Sequence, residues 1–284
     1  MISKIHIIQW RDYAPWPTDE QVEQDLILSR ILCELYSESY IAENLIFRGG
    51  TALHKLYFPV AGRYSEDIDL VQIRAQPIGA LIDAIRNKLD PWLGTPKRKS
   101  TEGRFTLYYR FDATSDIPVQ RKIKIEINTR EHFSVLGGSK KEFIVNNSWF
   151  NSNSTVSTYK LEELIATKLR ALYQRKKGRD LFDIWLALQQ YPKLDTKDVI
   201  KCFKEYIKFE GGRISKNEFE KNLLFKKDDP VFTSDLSALL VKRETIHTTQ
   251  KSKQDNRQDH KDHTAKYNIP DAIDMVLQLL VAKI

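Results

Sequence analysis

The stretch Tyr64-Ser65-Glu66-Asp67-Ile68-Asp69-Leu70-Val71-Gln72-Ile73 decides how the chain is read. Its polar and apolar residues alternate, which is the signature of a strand with one buried face. Side chains two apart on a strand share a face, so the carboxylates of Asp67 and Asp69 emerge together while Ile68 and Leu70 point inward. Two neighbouring acids repel each other unless a divalent cation lies between them, most often Mg²⁺. An Asp-x-Asp that merely faces solvent is the plain alternative, so the surroundings have to decide.

Upstream, Leu45-Ile46-Phe47 is a short apolar run that ends in Arg48-Gly49-Gly50. Thr51 to Tyr57 then has a helical pattern. A strand, paired glycines and a helix, in that order, present backbone N–H groups to an anion. A simple tight turn would use the same residues. Downstream, Lys122-Ile123-Lys124-Ile125-Glu126-Ile127-Asn128 alternates again. The three isoleucines share one face and Glu126 stands on the other. If this strand lies beside the Asp67 strand in register, three carboxylates converge as a two-metal site requires.

Farther from the centre, Thr18 and Gln21 form a capping box for a helix that buries Val22, Leu26, Ile27, Ile31, Leu32 and Leu35. A second helix is expected from about Pro77 to Leu89. Strands are expected over Arg104–Phe111, Arg121–Asn128 and Phe143–Val145. The Asn- and Ser-rich stretch 146–157 reads as a domain boundary, and the sequence beyond it is mostly helical. The fold expected is therefore α/β, with a small mixed sheet in residues 1–150. A mainly helical domain, 151–284, follows and completes a cleft. Residues 242–267 are dense in Lys, Gln, Asp and His, and read as a loop or a long solvated helix. His247, His260 and His263 within them lack the close spacing of a metal site.

Leu161, Leu164, Ile165, Leu169 and Leu172 define the apolar face of a helix, and Lys168 falls on that face. A lysine there must reach the surface or meet an anion. A triphosphate and an internal partner, Asp180 or Asp183, are both open to it. Arg175 and Arg179 either reach phosphates or lie at a solvated helix end. Ser65 either contacts a triphosphate or caps the strand. Arg48 and Arg63 flank the same pocket, and each either neutralises phosphate or pairs with Glu66.

Phe47-Arg48-Gly49-Gly50-Thr51-Ala52-Leu53, followed by Arg63-Tyr64-Ser65-Glu66-Asp67-Ile68-Asp69-Leu70, resembles the AbiEii/MenT group of nucleotidyltransferase toxins within the DNA polymerase β-like superfamily. The segment from Leu161 to Leu172, with Arg175 and Lys177 to Ile184, resembles a further motif of that group. Together these cover roughly residues 40 to 190. The resemblance implies transfer of a nucleoside monophosphate from an NTP to an acceptor hydroxyl, with Mg²⁺ (or Mn²⁺) held by Asp67, Asp69 and Glu126. It implies a phosphate cradle of Gly49, Gly50 and Thr51, with Ser65 beside the metal site and Arg175 near the nucleotide. It also implies a nucleotide-contacting Lys168 and a motif aspartate, for which Asp180 is preferred over Asp183. The expected acceptor is tRNA or another RNA, and the expected partner is the antitoxin of a type IV toxin–antitoxin, abortive-infection pair. Two other functions share these residues: a nucleotide-sensing module that has lost activity, and a kinase-like or protein-modifying transferase. Intact repelling acids argue against the first.

Composition bounds the rest. The 284 residues carry 45 Lys+Arg against 38 Asp+Glu, a net charge of +7, which permits a nucleic-acid partner without demanding one. Nothing approaches the ~18 consecutive apolar residues of a membrane span. The opening residues have no signal-peptide core. Two cysteines, Cys33 and Cys202, make neither a disulfide framework nor a zinc site between them. A cytoplasmic protein without structural metal is the expectation.

Overall fold

The computed structural model describes residues 2–59, 62–114, 119–236, 239–240 and 267–284. The charged stretch expected at 242–267, with its three histidines, lies outside them except for Tyr267. The chain divides into two compact units, Met1–Leu161 and Glu162–Ile284.

The first unit is built on one seven-stranded mixed sheet. Its elements in chain order are α1 (Lys4–Trp10), α2 (Asp19–Tyr36), α3 (Ser39–Asn44), β1 (Leu45–Arg48), α4 (Gly49–Leu56), β2 (Asp67–Gln72) and α5 (Gly79–Leu93). Five strands follow: β3 (Lys97–Thr101), β4 (Arg104–Ala113), β5 (Val119–Asn128), β6 (Gly138–Asn147) and β7 (Phe150–Tyr159). The strand order is β3-β4-β5-β2-β1-β7-β6. The central strand β2 runs parallel to β5 and antiparallel to β1, and β1 runs parallel to β7. Helix α2 starts at the Thr18–Gln21 capping box, in which side chain and backbone bond reciprocally. It packs against β7, β6, β5 and β4, while α5 packs against β4. The inward strand residues Ile68, Leu70, Leu107, Ile123, Ile125 and Ile127 form the core with them. At roughly 25 cal/mol per Å² of apolar surface removed from water, these fully buried chains anchor the sheet.

The expected boundary at 150/151 does not fall in a linker. The Asn- and Ser-rich stretch is the β6–β7 hairpin, paired in unbroken register from Gly138–Tyr159 to Asn147–Phe150. Ladder hydrogen bonds come from the backbone, so a strand whose outer half is partly solvated on both faces needs few apolar residues. Only Val156, Thr158 and Tyr159 of β7 are buried, and Thr158 donates its hydroxyl to the Phe47 carbonyl at 2.7 Å. Strand β7 was therefore not expected, and neither were α3, β3 and α1. Strand β3 is exposed at every residue, and α1 is a short helix where the sequence suggested only an apolar opening.

The second unit is helical: α6 (Leu161–Gln174), α7 (Gly178–Gln190), α8 (Thr196–Phe209), α9 (Lys216–Lys227), α10 (Pro230–Ser234) and α11 (Ile269–Leu279). Their starts are fixed by local chemistry. Asp195, Asp229 and Asn268 accept hydrogen bonds from backbone N–H groups of the first turn, and Ser215 with Glu218 makes a second capping box. Phe203, Phe219, Phe232 and Val276 are buried among them. Among the described residues no helix is long and apolar enough to cross a membrane.

Candidate active site

Strands β2 and β5 lie side by side in the register that sets the acids on one face. Asp67 is opposite Lys124, and Asp69 is opposite Glu126. Because Ile68, Ile123, Ile125 and Ile127 are fully buried, the intervening residues Asp67, Asp69, Lys124 and Glu126 all emerge on the opposite face. Arg48, at the end of β1, pairs with Asp69 from the other side.

Their electrostatics are unequal. The Lys124 ammonium lies 3.0 Å from Asp67 Oδ2 and 3.3 Å from Glu126 Oε2, and Arg104 Nε reaches Glu126 Oε1 at 3.1 Å. Burial alone would depress the lysine, but the charge and hydrogen bond of Asp67 outweigh it and hold Lys124 above its ordinary value. At Asp69 the opposing charges of Lys124 and Arg48 are outweighed. Burial pushes its carboxyl up, and the charge of Asp67 adds to the push. Lys124 was not foreseen, although the alternation that selected Glu126 places it on the same face. Among the described residues no three His, Cys, Asp or Glu side chains are grouped as a ready metal-ion cage. Glu126 thus stands where the sequence placed it, with its carboxylate shared between two cations.

The glycine turn meets these acids directly. Gly49 has φ +85°, a left-handed conformation that side chains rarely adopt, and a β-carbon there would collide with Asp69 Oδ2. A β-carbon on Gly50 would collide with Arg63 Nη2. Gly49 therefore sits against Asp69, and Gly50 against Arg63, because neither carries a side chain. Thr51 is buried. Its hydroxyl donates to the Asp67 carbonyl at 2.5 Å and lies 2.9 Å from Ser65 Oγ, so it ties α4 to the start of β2. Arg48 pairs with the buried carboxylate of Glu131 rather than with Glu66. Arg63 is buried too and donates to the Tyr64 carbonyl at 3.0 Å. His132 Nδ1 lies 2.9 Å from the Gln72 carbonyl, a structural contact.

The remaining expected residues lie in the second unit and form a cluster of their own. Lys168 Nζ sits 3.1 Å from Asp180 Oδ1 and 2.9 Å from Asp183 Oδ2. Arg175 clamps Asp180 with two bonds, Nε to Oδ2 at 2.7 Å and Nη2 to Oδ1 at 2.9 Å. Burial would raise the Asp180 carboxyl, but Lys168 and Arg175 overcome it and hold the group below its ordinary value. The internal partner open to Lys168 from the sequence is thus present, and it is both aspartates at once. Lys226 was missed. Its ammonium donates to the carbonyls of Leu172 and, at 2.8 Å, Tyr173, and burial pushes it down to about 8.

Residues 30–268 match the family model described as nucleotidyl transferase AbiEii toxin, type IV toxin–antitoxin system. No curated protein sequence matches the chain. Among solved structures, MenT4, a nucleotidyltransferase toxin from Mycobacterium tuberculosis H37Rv, is similar with a TM-score of 0.62 and 18% identity. That alignment covers 86% of this chain and 85% of the other. JHP933 from Helicobacter pylori aligns with a TM-score of 0.48 and 20% identity over 75% of this chain and 83% of its own.

Proposed function

The chain belongs to the AbiEii family of nucleotidyltransferase toxins of type IV toxin–antitoxin systems, and on that premise we propose that its reaction centre is the sheet face carrying Asp67, Asp69 and Glu126. Membership implies an NTP substrate and a cognate antitoxin. The observation that carries the reading is the parallel register of β2 and β5, which sets Glu126 opposite Asp69 beside the Gly49–Gly50 turn.

The donor set suits Mg²⁺ or Mn²⁺: hard carboxylate oxygens on one face, with Asp69 raised by burial and by its repulsion from Asp67, which a divalent cation would relieve. When bound, held by Asp67 and Asp69 with Glu126 close by, such an ion would screen the triphosphate and favour ionisation of the acceptor hydroxyl. The backbone N–H groups at the start of α4 would hold phosphate oxygens at the positive end of the helix. Thr51 and Ser65 would keep that helix end fixed to β2. The acceptor oxygen would attack the α-phosphorus as the bond to the β-phosphate oxygen breaks. Pyrophosphate leaves, and the hydroxyl proton passes to the Glu126 carboxylate. Lys124 would bridge Asp67 and Glu126 until the nucleotide arrives. RNA, tRNA first, is the acceptor that suits the positive charge of the chain.

Incubation with each labelled NTP, Mg²⁺ and total tRNA tests this. Label should move to RNA with wild type and not with Asp67→Ala. No transfer to any RNA or to the protein itself, with wild type and Asp67→Ala indistinguishable, would overturn the reading.

A further inference from the structure

Beside Asp67 lies a groove of about 540 Å³ whose lining includes four cationic side chains, Arg110, Arg121, Lys122 and Lys124, against two acids, Glu66 and Asp67. Arg121 also touches the groove, but along β5 it falls on the alternation of the buried Ile123 and so belongs to the other face from Lys122 and Lys124. The other cations are not scattered. The strand registers place Asp67 opposite Lys124, Lys124 opposite Tyr108 and Tyr108 opposite Lys97. That is a straight row across β2, β5, β4 and β3, roughly 14 Å long at the ordinary spacing of strands. One pair farther along, Arg110 faces Lys122. The Lys122 ammonium lies 5.5 Å from the centre of the Tyr108 ring, which is half-exposed.

We propose that this row is the seat of the acceptor: a single-stranded polynucleotide end, held through its phosphates by Arg110, Lys122 and Lys97 and through one base stacked on Tyr108. The proposal rests on the nucleotidyl-transfer reading and adds to it where, and in what form, the acceptor binds. The charge complementarity is one-sided. Cations spaced across three strands suit a repeating anion, and an aromatic ring set among them takes the face of an unpaired base of any identity. The row ends at Asp67, so a strand lying along it would deliver its terminal hydroxyl to the acids. An acidic polypeptide would use the cations but leave Tyr108 idle.

Fluorescence anisotropy with a short labelled single-stranded RNA, followed against salt concentration and without NTP, is the test. Arg110→Glu and Lys122→Glu should weaken binding equally for different sequences and reduce the slope of log affinity against log salt by about 0.7 for each phosphate no longer neutralised. Tyr108→Ala should weaken it roughly 5- to 150-fold with little change of slope. Arg98→Glu, on the opposite face of β3 by the pleat, should change neither. Thermal midpoints of all variants should match wild type, and NTP binding should be retained. Equal RNA affinity in wild type and the Arg110 and Lys122 variants would overturn the proposal. So would a perfect duplex or poly-glutamate binding as tightly as single strand, indifferent to Tyr108. RNA binding lost on Arg110→Glu while no NMP transfer is seen with any acceptor would sink the transfer reading and leave the seat standing. Transfer to a non-nucleic acceptor with no RNA binding would do the reverse.

Discussion

Asp67 and Asp180 both face a lysine about 3 Å away, yet one stands at an open sheet face and the other at the floor of a helical unit. The side chain of Asp67 is 41% exposed and that of Asp180 is 0%. Around Asp180 every charge is matched: Lys168 bridges two aspartates and Arg175 closes the set. Around Asp67 the balance is left open, because Lys124 answers Asp67 and Glu126 while Asp69 is raised by burial and by its neighbour. A fully matched buried cluster holds a fold together. A half-matched, half-exposed one has favourable free energy left to gain from a ligand.

The largest effect should come from breaking the matched cluster. Lys168→Met leaves two buried carboxylates without their shared cation, and losing one partner of a buried pair costs about 3–5 kcal/mol. Urea unfolding of the second unit would show it. If Lys168→Met instead unfolds like wild type but loses transfer, the cluster is catalytic in the way the family resemblance implies, and the contrast with Asp67 fails. Next comes the open cluster itself. Asp67→Asn should lower kcat about 10²–10³-fold, the cost of removing one preorganised electrostatic group. Its unfolding midpoint should not fall. A midpoint that falls along with kcat would make Asp67 a structural residue.

Gly49→Ala probes the seam between the turn and the acids. The left-handed backbone costs on the order of 1–3 kcal/mol for a side chain, and the β-carbon would press on Asp69 as well. Stability and activity should fall together here, unlike at Asp67. A variant with wild-type stability and activity would show that the close approach of turn and acid is not needed.

How much of this could be read from the chain follows from which residues carry periodicity. Strands β2 and β5 were legible because Ile68, Leu70, Ile123, Ile125 and Ile127 mark every second position, and the same marks placed Glu126 on the face of Asp67. The pairing of those strands was a condition that only tertiary structure could supply. Strands β3 and β7 were not legible. A fully exposed edge strand, or one whose outer half is solvated, has no apolar alternation to display. Lys124 sits in the same alternation, but a pattern of acids does not name the cation that holds them. Lys168 stood out as a lysine in need of an anion, and spacing could not choose between Asp180 and Asp183 because it meets both. The Arg48–Glu131 pair joins residues far apart in sequence with no motif between them.

Acidity separates the two clusters by sign. Asp180 is held below its ordinary value of 3.8, so its contribution is complete above that value and is lost as pH falls through the folded one. Asp69 is held above 3.8, so the folded chain binds that proton more tightly. Its contribution is favourable at low pH and is lost as pH rises through the raised value. Unfolding midpoints measured between pH 3 and 7 should therefore lose their acid-side fall in Asp180→Asn, whereas Asp69→Asn should gain stability relative to wild type toward neutral pH. Changes of the same sign in both variants would erase the distinction.

A further effect lies at the alkaline end. Lys226 is buried against the carbonyls of Leu172 and Tyr173 and is pushed down to about 8, below its ordinary 10.5. Between those values the unfolded chain holds the proton and the folded chain releases it. Stability must then rise as pH climbs from about 8 to 10.5. Lys226→Met should flatten that rise while leaving the acid-side behaviour of Asp180 in place. The matched cluster is therefore bordered by one group that gains from losing its charge, and the alkaline limb reports on that group without disturbing the ion pairs beneath it. A limb just as steep in Lys226→Met would assign the effect to another lysine.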